Sequence, residues 1–454
     1  MNDNNKTQRY GFQKNKHTIM KKFNLILTLI FYNLFLIPIL FVAFHILGHL
    51  NKKAKKGIEG RKDLFKNLEL KIKQKFNPQK PTFWFHSSSL GEFEQAKPLI
   101  AKIREKINPN IIVTFFSPSG YEHSKNYPLA DVISYIPFDS IFNAKKFTNL
   151  IKSHKTYLFL MKYDIWPNHI HMARKNNFTI CIANAIVNEK KTSFPQRFFY
   201  STFYELCDYI FLISKNDEKN ISKLKLKKPK IFSTGDTRYD QVFIRSKESK
   251  KKASLPSNVT KTKNDEKKKI FVVGSSWEDD EKIIIPTIVK IQKYEPKLLT
   301  IIVPHEPTEE NIRKIEEELA DKISFIRFSA IENYTDQKVI IVDAVGYLMS
   351  LYAYADVAYV GGSFKQGIHN VLEPATYGIP VIYGPKINNS PEAQNLAKIG
   401  GGFIVKDKKE FYKTLRKLLS DEKLRTESGK RSFELVSSNL GATEKIIQFL
   451  GLNS

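Results

Sequence analysis

Five short polar segments stand out, each directly after an apolar run. The first is His86-Ser87-Ser88-Ser89-Leu90-Gly91-Glu92. Its small residues let the backbone approach a ligand, and a helix opening there offers free N–H groups. Glu92 falls in the first turn of that helix. Spacing alone favours plain stabilisation by the helix dipole over a part in catalysis. Ser117-Pro118-Ser119-Gly120-Tyr121-Glu122 is a second small-residue loop that begins a helix. Contact with an anion or sugar and a simple turn with a cap fit it equally well. In Lys162-Tyr163-Asp164-Ile165-Trp166-Pro167-Asn168, charged and aromatic residues occupy the end of an apolar run. Asp164 either positions a sugar or catalytic group, or caps a helix ahead of proline. In Gly235-Asp236-Thr237-Arg238-Tyr239-Asp240, Arg238 is suited to offsetting the charge of a leaving phosphate, although a surface arginine is the simpler reading.

The most informative segment is Val360-Gly361-Gly362-Ser363, followed by Gly367-Ile368-His369-Asn370-Val371-Leu372-Glu373-Pro374-Ala375 and Gly378-Ile379-Pro380-Val381. A strand ends in paired glycines, a loop ends in His-Asn, and a helix begins near Glu373. A helix start beneath a loop suits a phosphate. A carboxylate one turn in can accept from both ribose hydroxyls. The pattern is neither G-x-G-x-x-G nor a P-loop, which disfavours NAD enzymes and ATP motors.

These segments need strands to hold them. Apolar, β-prone runs occur at Thr82–His86, Ile111–Phe116, Val132–Ile136, Tyr157–Met161, Thr179–Asn184 and Tyr209–Ser214. Helical patterns such as Glu92–Lys106 and Ala144–Ser153 lie between them. The rhythm restarts at Ile270–Gly274, Leu299–Pro304, Val339–Val342, Val357–Gly361, Pro380–Tyr383 and Gly402–Val405. Alternation of this kind predicts an α/β chain of two parallel sheets, each covered on both faces. Such sheets bind ligands beyond the carboxyl ends of their strands, and two of them facing a cleft would make a substrate site. Ser246–Lys269 lacks apolar periodicity and reads as a solvated linker.

The N-terminus carries a different signal. Phe23–Leu47 has no charged residue. As a helix it would be ~37 Å long, enough to cross a hydrocarbon core of ~30 Å. Lysines lie on both sides of it, which leaves its orientation open but suits an anionic membrane surface. The expected organisation is a basic tail over 1–22, an anchor over 23–47, one Rossmann-like domain over 48–240, a linker over 241–269 and a second domain over 270–454.

With 454 residues, 42% hydrophobic and 26% charged, the chain is globular and long enough for two domains. A net charge of +27 favours an acidic partner without choosing among nucleic acid, anionic lipid and phosphorylated substrate. Two cysteines, Cys181 and Cys207, are too few for a disulfide framework and read as buried thiols.

Taken in order, the segments resemble the transferases of 3-deoxy-D-manno-octulosonic acid (Kdo) in lipid A synthesis. The likeness runs through the anchor, Ser88–Glu92, the Ser-Pro-x-Gly-Tyr-Glu loop, Tyr135–Asp139, Trp166–Asn168, Gly235–Asp240, Val272–Glu281 and the His369–Val381 block. The resemblance implies a GT-B fold, with cytidine monophosphate-Kdo (CMP-Kdo) as donor and a lipid A precursor (lipid IVA) as acceptor. It implies inverting transfer with no metal or other cofactor, at the cytoplasmic face of the inner membrane. The implied partners are that donor, that acceptor and the anionic membrane surface, with no nucleic acid. Glu92 would be the base, Asp164 a second acid, and Arg238 the cation for the leaving phosphate. Donor contacts would come from Ser275, Pro304, His305, Ala344, Val345, Gly346, Gly362, Ser363, Asn370, Val371, Leu372 and Glu373. Ser88, Ser89 and Gly91 would meet the acceptor.

The chain departs from the family pattern in three places. Lys162 and Asp164 stand where many members carry Glu-x-Glu. Asn184-Ala185-Ile186 lacks the usual arginine, and so does Pro304-His305. Two other readings remain open: a lipid-directed GT-B enzyme using a uridine-nucleotide sugar, and a basic membrane-tethered scaffold without catalysis.

Overall fold

The computed structural model describes residues 21–162, 164–188, 194–250, 255–256, 259–260 and 268–452. Of the basic tail expected over 1–22, residues 1–20 lie outside them, and Lys21 and Lys22 begin the first helix. The chain divides into two compact units, Met1–Asp240 with Gly441–Ser454, and Gln241–Leu440.

The first unit is built on β1 (Thr82–Ser87), β2 (Asn110–Phe115), β3 (Val132–Tyr135), β4 (Thr156–Met161), β5 (Thr179–Ala185), β6 (Tyr209–Leu212) and β7 (Lys230–Ser233). They form a parallel seven-stranded sheet in the order β3-β2-β1-β4-β5-β6-β7. Its strands are near-continuous apolar runs because both faces are buried. Strand alternation sends Trp84, Ile112 and Leu158 to one face, where they pack with Ile170 and Ala173. Phe83, Phe85 and Phe159 face the other way, onto Phe93, Leu99 and Ile103 of the helix Leu90–Ile107. Strand order reverses between β1 and β4, so the loops after these two strands diverge and leave a crevice.

The second unit carries β8 (Lys269–Ser276), β9 (Leu298–Pro304), β10 (Phe325–Arg327), β11 (Val339–Ile341), β12 (Val357–Val360), β13 (Val381–Tyr383) and β14 (Gly402–Ile404). This sheet is also parallel and seven-stranded, in the order β10-β11-β9-β8-β12-β13-β14. Its reversal lies between β8 and β12. Both sheets are thus the doubly wound kind expected from the alternating pattern. β7 and β10 escaped that pattern because they are short, partly exposed edge strands.

Two boundaries need correction. The linker expected over 241–269 begins as ordered structure. The helix Thr237–Lys250 runs through its first part, and Leu255 and Val259 are buried in the second unit's core. A few well-placed apolar residues suffice there despite the lysine-rich composition. Residues 251–254, 257–258 and 261–267 lie outside the described residues. At the other end, the domain expected over 270–454 does not keep its last segment. The helix Ala442–Phe449 packs Ile446 and Ile447 into the first unit's core. Phe449 stacks on Phe232 of β7 at 3.7 Å. The Asp240 carboxylate accepts the N–H groups of Gly441 and Thr443, both at 2.7 Å. Cys181 and Cys207 are buried free thiols.

Lys21–Leu50 is one helix of 30 residues, long and apolar enough to cross a membrane. It contains a π turn at Tyr32–Leu36. Many of its side chains are exposed, Leu34 and Val42 among them. One face docks on the first unit. Tyr32 donates its hydroxyl to Asp139 at 3.0 Å. The amides of Asn33 and Asn168 exchange two hydrogen bonds of 2.9 Å. Phe41 and Phe44 meet Phe138 and Phe116.

Candidate active site

In the first unit the predicted acids meet at the β1/β4 reversal. Ser89 caps the helix Leu90–Ile107, which places Glu92 in its first turn. Glu92 is buried, and its carboxylate accepts the Ser88 N–H at 2.7 Å. Burial, and then the charge of Asp164, push its pKa upward. The hydrogen bonds from Ser88 and Ser89 and the charge of Lys162 pull against this without reversing it. Asp164, in the loop after β4, accepts the Ser88 hydroxyl. It lies 3.2 Å from His86 Nε2. Burial acts to raise its pKa, but bonds and charge from His86, with the Ser88 hydroxyl, outweigh it and hold the carboxyl low. One serine therefore joins two carboxyl groups whose pKa values are driven apart, the arrangement expected of a pair with different protonation tasks.

His86 is fully buried. Its Nδ1 lies 2.9 Å from Thr114 Oγ1, which also accepts the Trp84 indole N–H at 2.8 Å. The threonine hydroxyl can then donate to Nδ1, leaving Nε2–H for Asp164. Trp166 sets its ring edge-on to His86 at 5.2 Å. Lys162 sits in the left-handed region at φ 61° as the chain leaves β4.

Arg238 is tied to the same helix. Its guanidinium grips Asp236 through Nε at 2.9 Å and Nη2 at 2.7 Å. Asp236 also accepts from Gln95, one turn beyond Glu92, at 3.0 Å. Thr237 donates to the Gln95 carbonyl at 2.6 Å, and Asn184 clasps Thr237 at 2.7 and 3.0 Å. Arg238 is therefore a held residue, not a loose surface cation. Among the acceptor residues expected from sequence, Ser88 directs both donors at the acids and Ser89 caps the helix. Gly91 borders open space. The Ser117 loop is a cap, with Ser117 Oγ accepting the Gly120 N–H.

In the second unit, the expected donor residues other than Ala344, Val345 and Gly346 lie at the ends of β8 and β9 and in the segment after β12. Ser275 sits at φ 54° where the pairing of β8 with β9 shifts register, one residue from the strand's end. A Cβ on Gly361 would lie 2.2 Å from the Ser275 carbonyl, so only glycine allows that approach. Asp280 draws the loops together, accepting from Trp277 N–H at 2.9 Å, Gly362 N–H at 2.8 Å and Tyr359 hydroxyl at 2.7 Å. His305 follows Pro304 and donates its N–H to the Ser276 carbonyl at 2.8 Å. Its ring stacks on both Trp277, at 4.6 Å, and His369, at 4.3 Å. His369 Nε2 accepts the Trp277 indole N–H at 2.8 Å. Burial and the neighbouring His305 push His369 down to about 4, so the ring is neutral at pH 7.

Ser363 is buried, and its hydroxyl accepts the Gly384 N–H at 2.6 Å. Asn370 Oδ1 accepts the Leu372 N–H at 3.1 Å. Glu373 Oε1 lies 3.4 Å from the Asn370 amide and 3.5 Å from Arg245. Val371 is buried beside them. Ala344, Val345 and Gly346 follow β11, two strands from β8, and Val345 is exposed. Sequence reasoning did not single out His86, Gln95, Trp277, Asp280 or Arg245 as site residues. His86 and Trp277 stood inside recognised segments. Arg245 lies on a helix with no motif to mark it.

Residues 63–241 match the family model described as 3-Deoxy-D-manno-octulosonic-acid transferase (kdotransferase). The chain is 28% identical over 388 residues to the 3-deoxy-D-manno-octulosonic acid transferase of Haemophilus influenzae, covering 82% of this chain and 87% of that protein. The Aquifex aeolicus protein of the same name is 29% identical over 371 residues, covering 78% and 93%. A bifunctional glycosyltransferase/methyltransferase of Fusobacterium nucleatum is 27% identical over 382 residues, and the chain spans 57% of its length. Among solved structures, the UDP-GlcNAc 2-epimerase of Neisseria meningitidis is similar with a TM-score of 0.56 at 15% identity. The match covers 82% of this chain and all of that one, and it shows shared architecture.

Proposed function

We propose, from the premise that this chain belongs to the Kdo transferase family and is a glycosyltransferase, that it moves Kdo from CMP-Kdo onto a hydroxyl of a lipid A precursor, lipid IVA. Glu92 takes the proton of the attacking hydroxyl. Its raised pKa brings it nearer neutrality, which makes it a stronger base than an ordinary carboxylate while leaving it ionisable. Asp164 stays ionised. It fixes His86 and the Ser88 hydroxyl, and Ser88 in turn fixes Glu92. Attack as the bond to phosphate breaks gives inversion through an oxocarbenium-like state. Arg238 and backbone N–H groups meet the departing charge, without a metal or other cofactor. The second unit binds the donor. Its ring stack and the Asn370–Glu373 turn offer an aromatic surface, an amide and a carboxylate suited to base and ribose.

The N-terminal helix supports siting this chemistry at a membrane. Its docked part, Tyr32–Leu47, is ~24 Å long. The remaining Lys21–Phe31 is ~16 Å, short of a ~30 Å hydrocarbon core. We therefore place the helix along one leaflet, at the cytoplasmic face of the inner membrane, with its exposed apolar side in lipid.

The observation that carries the reading is the Glu92–Ser88–Asp164 arrangement inside the matched segment 63–241. Its test is Glu92→Ala. Transfer should fall by about 10²–10⁴-fold. Thermal stabilisation by CMP should persist, because the donor unit is untouched. Undiminished transfer would overturn the assignment of the base.

A further inference from the structure

A cavity of about 200 Å³ lies between the N-terminal helix and the body of the first unit. One wall is Ile37, Leu40, Ala43, Phe44 and Leu47, spaced three and four apart on one helix face. Phe116, Phe138 and Trp166 line it from the unit. The polar lining residues, Tyr32 and Asp139, satisfy each other, and Asp139 is further saturated by His169 and by the N–H of Asn168. The rest of the lining is apolar save for the Trp166 indole N–H. Yet Leu40 and Leu47 remain 49% and 51% exposed, so apolar surface here lacks a protein cover.

Two neighbours give the slot direction. Trp166 carries it to His86 and so to the acid pair. A second cavity, about 580 Å³, shares Phe44 and Phe138 with it and adds Arg61, Lys62 and Lys66, with Asp63 among them. Lys62 and Lys66 are exposed, whereas Arg61 is engaged with the carbonyls of Gly57, Phe116 and Ile136. The helical wall is held by the Asn33–Asn168 exchange, and Asn168 lies two residues beyond Trp166.

We propose that this slot receives one acyl chain of the acceptor lipid, with an anionic group of the same molecule on Lys62 and Lys66. The inference rests on the acceptor being the lipid named above. It makes the N-terminal helix part of the acceptor site as well as an anchor. The chemistry that fits is an amphiphile with a long saturated chain close to a phosphate. Position beside the acids selects the acceptor over bulk phospholipid.

Ala43→Trp fills the slot from an exposed position. Val42→Trp adds the same bulk on a face that lines neither cavity. The readouts are KM and kcat for lipid IVA, thermal stabilisation by CMP, and sedimentation with phosphatidylglycerol–phosphatidylethanolamine vesicles. Ala43→Trp should raise KM at least tenfold, with kcat, CMP stabilisation and vesicle binding retained. Val42→Trp should change none of them. Leu40→Ser, which puts a hydroxyl in the slot, should raise KM in the same direction and stands in if the tryptophan variant loses CMP stabilisation. Equal effects of Ala43→Trp and Val42→Trp would overturn the proposal, as would an unchanged KM. Vesicle binding weakened in step with KM would assign the slot to bilayer lipid instead. No transfer by the unmodified chain would remove the proposed function itself, a failure distinct from the others.

Discussion

Ser88 is the residue on which the first site turns. Its N–H points at Glu92 and its hydroxyl at Asp164, so one small side chain sets the distance between two acids. The glutamate was legible from its place after a strand, and the aspartate from its place before Trp-Pro-Asn. Their union was not, because it depends on β1 and β4 becoming neighbours across 76 residues of chain. Arg238 was harder still, since its anchor Asp236 is fixed by Gln95 from another element.

The opposed shifts make a pH prediction. With Glu92 as the proposed base, the rate should rise with pH through its raised pKa. Asp164→Asn removes a negative charge and should move that acid limb to lower pH, with a lower plateau because His86 and Ser88 lose their acceptor. Lys162→Met removes a positive charge and should move the limb to higher pH. Rate–pH profiles of the two variants shifting in the same direction would contradict the electrostatic account. Stability follows the same sign. A carboxyl whose folded pKa is raised stabilises the fold while protonated and loses that contribution as pH rises through it. Glu92→Gln should therefore raise Tm at pH 7 although it abolishes transfer, and thermal melts at pH 5 and pH 7 would show the gain shrinking towards acid.

At the scale of elements, the strands were the most readable part. Runs such as Phe83-Trp84-Phe85 admit no exposed face, and both sheets follow from them. The edges were least readable, because β7 and β10 carry too few apolar residues to announce themselves. The N-terminal helix was legible as apolar but not as docked. Asn33, a polar residue within the apolar run, is half of an amide exchange with Asn168. Asn33→Leu should cost about 1–3 kcal/mol by leaving the buried Asn168 amide oxygen without its donor. Asn33→Leu with Asn168→Leu should cost less than the sum of the single changes, measured by denaturant unfolding in detergent. If the helix lies in one leaflet, cysteines at Lys22 and Asn51 react with an impermeant maleimide from the same side of inverted vesicles. Labelling of only one of the two from that side would mean that the helix crosses. The native thiols are buried and give a low background.

At the scale of the molecule, the division into two Rossmann-like units was written in the restart of the strand–helix rhythm. The return of the last helix to the first unit was not, because a short amphipathic segment gives no sign of which core it joins. The net charge of +27 could not choose a partner by itself. Joined to the apolar helix and the basic cavity rim, it favours an anionic lipid surface, so vesicle binding should weaken steeply with salt. Donor identity is decided at the same scale, by which nucleotide stabilises the folded chain. CMP should raise Tm and UMP should not, and equal shifts would count against CMP-Kdo as the donor.

The central claim is that a base in the first unit drives Kdo transfer to lipid. Mass analysis of lipid IVA incubated with CMP-Kdo tests it most directly, using the unmodified chain and Glu92→Ala side by side. The account predicts lipid bearing added Kdo from the first and unmodified lipid from the second, with CMP still stabilising both proteins. Kdo-bearing lipid in equal yield from both, or none from the unmodified chain, would contradict it.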